Sequence, residues 1–177
     1  MVASIALFML WSMLLLVVAA IRFDSPGPAL FRQVRIGLGG RHFDILKFRS
    51  MVVGAENLGG YSTVEGDPRI TRVGRFIRRT SIDELPQLFN VLKGDMSLVG
   101  PRPDVPAQRA DYTDEEWLIR HQVRPGVTGL AQATLRSLAT IEERKAMDLN
   151  YATQNSLVFD MKILLMTVRQ VIFKGGN

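Results

Sequence analysis

Val2-Ala3-Ser4-Ile5-Ala6-Leu7-Phe8-Met9-Leu10-Trp11-Ser12-Met13-Leu14-Leu15-Leu16-Val17-Val18-Ala19-Ala20-Ile21 carries no charged side chain, and the first one in the chain, Arg22, follows directly. At ~1.5 Å per residue a helix of that length reaches ~30 Å, about one hydrocarbon thickness. The run therefore predicts a membrane-embedded helix over residues 1–22, with residues 23–177 forming a membrane-associated domain. All faces of the run are apolar, and a domain this size has little interior in which to hide it. Val18-Ala19-Ala20 offers small residues for a signal-peptide cut, but nothing basic precedes the run and it is long for such a peptide. Trp11 and Ser12 sit mid-run, where a spanning helix favours aliphatics and a re-entrant one can place an interfacial group, so both geometries stay open. The arginines that follow put the remainder on the cytoplasmic side under the positive-inside bias.

The whole chain has 177 residues, enough for one core and an anchor. Its positive mean hydropathy, +0.10, is high for a soluble enzyme. A net charge of +5 favours anionic partners: phosphorylated small molecules, acidic headgroups or nucleic acid. The lack of cysteine excludes disulfides, thiolate catalysis and cysteine-ligated metals.

Beyond the anchor, Asp24-Ser25-Pro26-Gly27-Pro28 cannot continue a helix and reads as a linker at the interface. Leu30 to Ile36 and Arg41 to Phe48 lean to β structure and are joined by Gly37-Leu38-Gly39-Gly40, which predicts a hairpin. The glycine spacing matches neither the Walker nor the Rossmann phosphate loop. Residues 54–68 read as a polar surface loop. The fold class expected is α+β, mostly helical with one short β-hairpin, a re-entrant or spanning membrane helix and interfacial amphipathic helices.

Arg69, Arg72, Arg75 and Arg78 recur every third residue and would form a basic stripe on a helix, facing water, anionic lipid or a diphosphate. Ser81-Ile82-Asp83-Glu84 fits a capping box ahead of a helix packing Leu85, Leu88, Phe89 and Leu92 on one side, closed by Lys93-Gly94. In a first turn the acidic pair needs no catalytic role, since the helix dipole favours it by roughly 0.3–1 kcal/mol. The same placement would keep Asp83 ionised and nucleophilic.

Two further segments decide between those readings. Proline on both sides of Arg102 in Gly100-Pro101-Arg102-Pro103 fixes the backbone and presents a guanidinium at low entropic cost, as a phosphate clamp needs. Val123-Arg124-Pro125-Gly126 is the second. With these residues the chain resembles the bacterial sugar transferases, the monotopic polyprenyl-phosphate phosphoglycosyl transferases. The resemblance runs from Asp24-Ser25-Pro26-Gly27-Pro28 through Lys47-Phe48-Arg49-Ser50-Met51 and Asp67-Pro68-Arg69-Ile70-Thr71. It continues through Thr80-Ser81-Ile82-Asp83-Glu84-Leu85-Pro86-Gln87-Leu88-Phe89-Asn90-Val91-Leu92-Lys93-Gly94-Asp95-Met96-Ser97 and Gly100-Pro101-Arg102-Pro103 to Arg124-Pro125-Gly126.

That resemblance implies Asp83 as the nucleophile, Glu84 as a magnesium ligand, and Arg78, Arg102 and Lys47 as phosphate contacts. It places Arg124, Pro125 and Gly126 near the site without a stated role. It also implies a UDP-sugar donor, a polyprenyl (undecaprenyl) phosphate acceptor, a covalent sugar-phosphate on Asp83, ping-pong kinetics and a place in the bacterial inner membrane facing the cytoplasm. Two departures stand out. Where family members carry Ser-Pro midway through the membrane helix this chain has Ser12-Met13, which removes the main physical cause of re-entrance. The chain also starts without the charged residues that usually precede the anchor, as a trimmed or short member would.

Val158, Met161, Leu165, Val168 and Ile172 fall on one side of a C-terminal helix, with Lys162, Arg169 and Lys174 elsewhere. That suits an interfacial helix or one covering a core. Trp117 and Tyr151 read as packing residues, and His42 and His121 show no metal-ligand pattern. A membrane-bound nucleotide-sugar or polyprenyl hydrolase would use the same groups with water as acceptor. A non-catalytic scaffold would use the arginines for lipid and the acidic pair as a cap. Nucleic acid is the weakest partner, for want of an aromatic-basic motif. Exposed apolar surface would favour a homo-oligomer.

Overall fold

The computed structural model describes residues 2–59, 63, 66–134 and 140–174. The side chains of Glu56 and of residues 171–174 lie outside that set, and with them the predicted placements of Ile172 and Lys174, as does part of the 54–68 loop. Helix α1, Val2–Asp24, passes through Ser12 and Met13 unbroken, because Met13 keeps the backbone N–H that a proline would lack. It ends two residues beyond the predicted anchor boundary, where Ser25-Pro26-Gly27 cannot continue it. By length and composition α1 can cross a membrane, and only 6% of its most apolar stretch is buried within the chain.

The last turns of α1 are docked on the domain. Ile21, Ala29, Phe48 and Ile77 form a buried cluster, against which Leu14, Val17, Val18, Val73 and Ile82 pack. Two short-range ties fix this junction. Buried Arg49 donates to the carbonyls of Ser25 and Pro26, clamping the linker. Asp24 Oδ2 accepts from Val73 N at 2.9 Å, and Thr71 Oγ1 from Gly74 N at 2.9 Å, which together start helix α2, Arg72–Arg79. Gly74 permits the close approach of α2 to the Ser50 backbone, since a Cβ there would lie 1.9 Å from Ser50 O. Of the predicted arginine stripe, Arg72, Arg75 and Arg78 are on α2, whereas Arg69 lies outside it and pairs with Asp67 at 2.7 Å.

The predicted hairpin is present. Strand β1, Leu30–Ile36, pairs antiparallel with β2, His42–Phe48, in a register running from Leu30 opposite Phe48 to Ile36 opposite His42. Gly39 and Gly40, both at positive φ, make the tight turn. A second, parallel pair escaped prediction: β3, Ser97–Val99, lies beside β4, Gly126–Thr128. Strands of three residues are too short to show an alternating pattern.

Between and after these strands come helices α3 (Gln87–Lys93), α4 (Asp114–Arg120), α5 (Leu130–Thr134), α6 (Ile141–Gln154) and α7 (Leu157–Lys174). With β3, helices α5, α6 and α7 enclose a second core of Val99, Ala133, Tyr151 and Ile163, with Leu98, Val123, Leu130, Phe159, Leu164 and Met166 around it. The predicted apolar side of α7 does not cover this core: Val158, Met161, Leu165 and Val168 are all exposed, and Phe159, Ile163, Leu164 and Met166 face inward instead. Over the described side chains α7 is thus apolar on two sides rather than amphipathic. Tyr151 and Trp117 do pack, Tyr151 donating to Asp160 Oδ1 at 2.7 Å and Trp117 stacking at 4.0 Å against the ring of His121.

Candidate active site

The acidic pair stands in a short 3-10 turn, Ile82–Glu84, and not in the first turn of an α-helix. The capping box does not form: Ser81 sits at φ 57 with no side-chain cap, and α3 starts only at Gln87, behind Pro86. Proline is well suited to helix entry and cannot donate an N–H, so it resets the start six residues after Ser81. The apolar face predicted for this helix also fails in part. Leu88 is buried, but Phe89 and Leu92 are exposed, while Gln87 and Asn90 point inward. Asn90, wholly buried, donates to Asp44 O at 2.8 Å and accepts from Leu46 N at 3.0 Å, and so pins α3 to β2 beside Lys47. Gly94 closes α3 in the left-handed conformation, as expected.

Three chain-distant elements meet at Glu84. Lys47 Nζ from β2 reaches Glu84 Oε1 at 2.8 Å, and Arg102 Nη1 approaches the same oxygen at 3.4 Å. Burial works against the Glu84 charge, but the two cations outweigh it and hold the carboxyl down to about 2. Asp83 differs from its neighbour: its side chain makes no hydrogen bond or ion pair with a described residue. Burial, and then the charge of Glu84, push its carboxyl up to about 6, against the opposing pull of Lys47, Arg78 and Arg102. The helix dipole is therefore not what keeps Asp83 ionised. At pH 7 a group titrating near 6 is still about 90% charged, and no described residue pairs with it directly. Arg78 acts on Asp83 only through space, its guanidinium donating to Thr63 Oγ1 at 2.9 Å.

The turn carrying Arg102 is held by four successive carbonyls. Gly126 N donates to Pro101 O at 2.9 Å, Arg120 Nη2 to Arg102 O at 2.7 Å, Arg35 Nη1 to Pro103 O at 2.9 Å, and Ile36 N to Asp104 O at 2.9 Å. This gives the Arg124-Pro125-Gly126 segment a concrete place. Gly126 fixes the turn through its N–H and must lack a side chain, because a Cβ would lie 2.1 Å from Gly100 N. Pro125 O accepts from Ser97 N at 2.8 Å. Arg124 is turned away from Glu84 and donates to Gly94 O at 3.0 Å, at the carbonyl end of α3.

A cleft at this point is lined by Arg35, Lys47, Gln87, Arg102, Gly126 and Gln132, among others. Arg35, Gln87 and Gln132 were missed. Arg35 had a weak signal, a cation inside a predicted strand, and Gln87 stood within the family-like block after Thr80 without an assigned role. Among the described residues no three His, Cys, Asp or Glu side chains group closely enough to cage a metal. The donor set of Asp83 and Glu84 suits Mg²⁺ only if most ligands come from a diphosphate and water, which is how this ion is commonly held.

The model of the family described as bacterial sugar transferase matches residues 1–174. The chain is 48% identical to the UDP-glucose:undecaprenyl-phosphate glucose-1-phosphate transferase of Caulobacter vibrioides, covering 97% of this chain and 67% of that protein. It is 46% identical to the undecaprenyl-phosphate glucose phosphotransferase of Komagataeibacter xylinus and 42% identical to the Escherichia coli (strain K12) protein bearing the same name as the Caulobacter one. There the alignments cover 97% and 98% of this chain but 34% and 38% of those proteins, so the chain spans about a third of their length. With the matched region running through Lys47, Asp83, Glu84 and Arg102, the chain belongs to the bacterial sugar transferase family.

Proposed function

We propose that the protein transfers a sugar 1-phosphate from a UDP-sugar to undecaprenyl phosphate, giving an undecaprenyl diphosphate sugar and UMP, as a first membrane step in glycan assembly. The observation that carries this reading is the division of labour in the acidic pair: Glu84 holds two cations while Asp83, beside it, stays uncommitted. An Asp83 oxygen attacks the phosphorus on the sugar side of the diphosphate, and the bond from that phosphorus to UMP breaks. Undecaprenyl phosphate then attacks the same phosphorus, the bond to Asp83 breaks, and the carboxylate is restored. Lys47 and Arg102, with Arg78 nearby, offset the charge on the phosphoryl oxygens. Magnesium entering with the donor and held by Glu84 would add to that neutralisation.

The acceptor cannot leave the lipid, so the site must be held at headgroup depth. We assign α1 to the bilayer and the exposed side of α7 to its cytoplasmic surface, in the bacterial inner membrane. The test is UMP release by purified protein with a panel of UDP-sugars, UDP-glucose first, with and without undecaprenyl phosphate. Parallel initial-rate lines and a covalent species labelled by donor alone are expected. Intersecting lines with no labelled species would refute the two-step route, and UMP release yielding free sugar phosphate regardless of acceptor would make the enzyme a hydrolase.

A further inference from the structure

Arg120 is buried, 4% exposed, at the end of α4, and 18 and 28 residues in sequence from two of the groups it bonds, Arg102 and Asp148. Its Nη2 donates to Asp148 Oδ2 on α6 at 2.7 Å and to Arg102 O at 2.7 Å, while Nη1 pairs with Asp104 Oδ2. The Tyr112 ring lies 5.3 Å beneath the guanidinium and its hydroxyl reaches Asp104 Oδ1 at 3.4 Å. A planar fork with fixed donors thus spans two carboxylates and one carbonyl, and that carbonyl belongs to the residue whose own guanidinium lies against Glu84 on the opposite side of the turn.

We propose that Arg120, braced by Asp148 and Asp104, is a positioning residue for Arg102: it anchors the Arg102 carbonyl inward and so aims the Arg102 side chain at Glu84. Proline at 103 holds the Arg102 backbone extended, and the bond from Arg120 ties the carbonyl of that extended residue to the buried side of the turn. Of the bonds on this turn, the one from Arg120 is the only side-chain bond made to Arg102's own carbonyl among the described residues. Lysine at 120 keeps the charge for Asp104 and Asp148 but cannot span three acceptors in one plane. A misplacement of ~1 Å in a clamp of this kind costs on the order of 100-fold in rate.

The inference rests on the transferase reading, and a double-mutant cycle tests the two separately. Full-length wild type, Arg120→Lys, Arg102→Ala and the double variant are assayed for UMP release from UDP-glucose with undecaprenyl phosphate. The same proteins without substrate are followed by ¹⁵N relaxation of the Arg102 Nε–H where Arg102 is present. Arg120→Lys is expected to lower kcat at least about 10-fold with KM for UDP-glucose little moved, to loosen Arg102 in the relaxation data, and to cost less than about 2-fold when added to Arg102→Ala. Multiplying effects, or an Arg102 signal unchanged by Arg120→Lys, would overturn the proposal and leave Arg120 a packing residue. A wild type silent with UDP-glucose and the other donors would count against the transferase reading alone, with the relaxation result still deciding the positioning role. If Arg120→Lys does not fold, Asp148→Asn takes its place in the cycle, with the same expected and contrary outcomes.

Discussion

Two ionic triads flank the Pro101–Asp104 turn, and they differ in charge balance and in access to water. On one side Lys47, Glu84 and Arg102 set two cations against one anion, with side chains 15%, 22% and 45% exposed. On the other, Arg120, Asp104 and Asp148 set one cation against two anions at 4–6%. A sealed triad is expensive to break and closed to a ligand, because its charged groups pair with one another away from water. An open triad with surplus positive charge is an unfinished site that an incoming polyanion completes. The backbone of Arg102 belongs to the sealed arrangement and its side chain to the open one.

The widest separation should come from Asp83→Asn. UMP release is expected to fall by at least about 10³-fold with the melting temperature held or raised, since an uncompensated, partly buried carboxylate is removed. A stability loss with activity retained would reduce the pair to a structural turn. Next, the two triads should respond in opposite currencies. Arg102→Ala should cost on the order of 100-fold in turnover and under about 1 kcal/mol in denaturant stability. Asp148→Ala should cost about 3–5 kcal/mol, because it strands part of a buried guanidinium. Equal stability losses would erase the distinction drawn above.

A pH series sharpens it further. Asp83 titrates near 6 in the folded protein against an ordinary value of 3.8, so the native state holds this proton more tightly than the unfolded chain. Folding stability of the wild type should therefore decline relative to Asp83→Asn as pH rises from about 4 to 6, and donor-dependent UMP release should climb over the upper part of that window. Glu84→Gln removes the neighbouring negative charge, lowering the Asp83 value and shifting the acidic limb of the rate profile to lower pH. A limb that stays in place would show that burial alone sets the titration. The smallest effect is expected at Ser81. This residue holds φ 57, at a cost of about 1–2 kcal/mol for a side chain with a Cβ, so Ser81→Gly should stabilise by up to about 1 kcal/mol in a thermal melt while turnover changes little.

Much of the site was legible because its residues come in short, chemically unusual strings. Asp83-Glu84 and the proline-flanked Arg102 are marked by their immediate neighbours, as is the apolar run that becomes α1. The capping box was misread because Pro86 controls helix entry more strongly than the Ser-x-x-Glu pattern two turns earlier. The buried role of Asn90, the parallel pairing of β3 with β4 and the inward face of α7 were not legible. Each depends on what lies across a gap of tens of residues, and α7 carries apolar side chains on both sides, leaving no periodic signal to choose between them.

From the sequence alone came the long apolar helix, the hairpin, the family and the identity of the nucleophile candidate, because uncharged length, glycine turns and rare local motifs are properties of contiguous residues. Only tertiary packing decided that Lys47 and Arg102 converge on Glu84 and leave Asp83 uncommitted, that Arg124 caps α3 instead of joining them, and that Arg120 grips the back of the Arg102 turn. Burial and Coulomb interactions depend on distance in space, and separations of 18 to 37 residues along the chain carry no information about it.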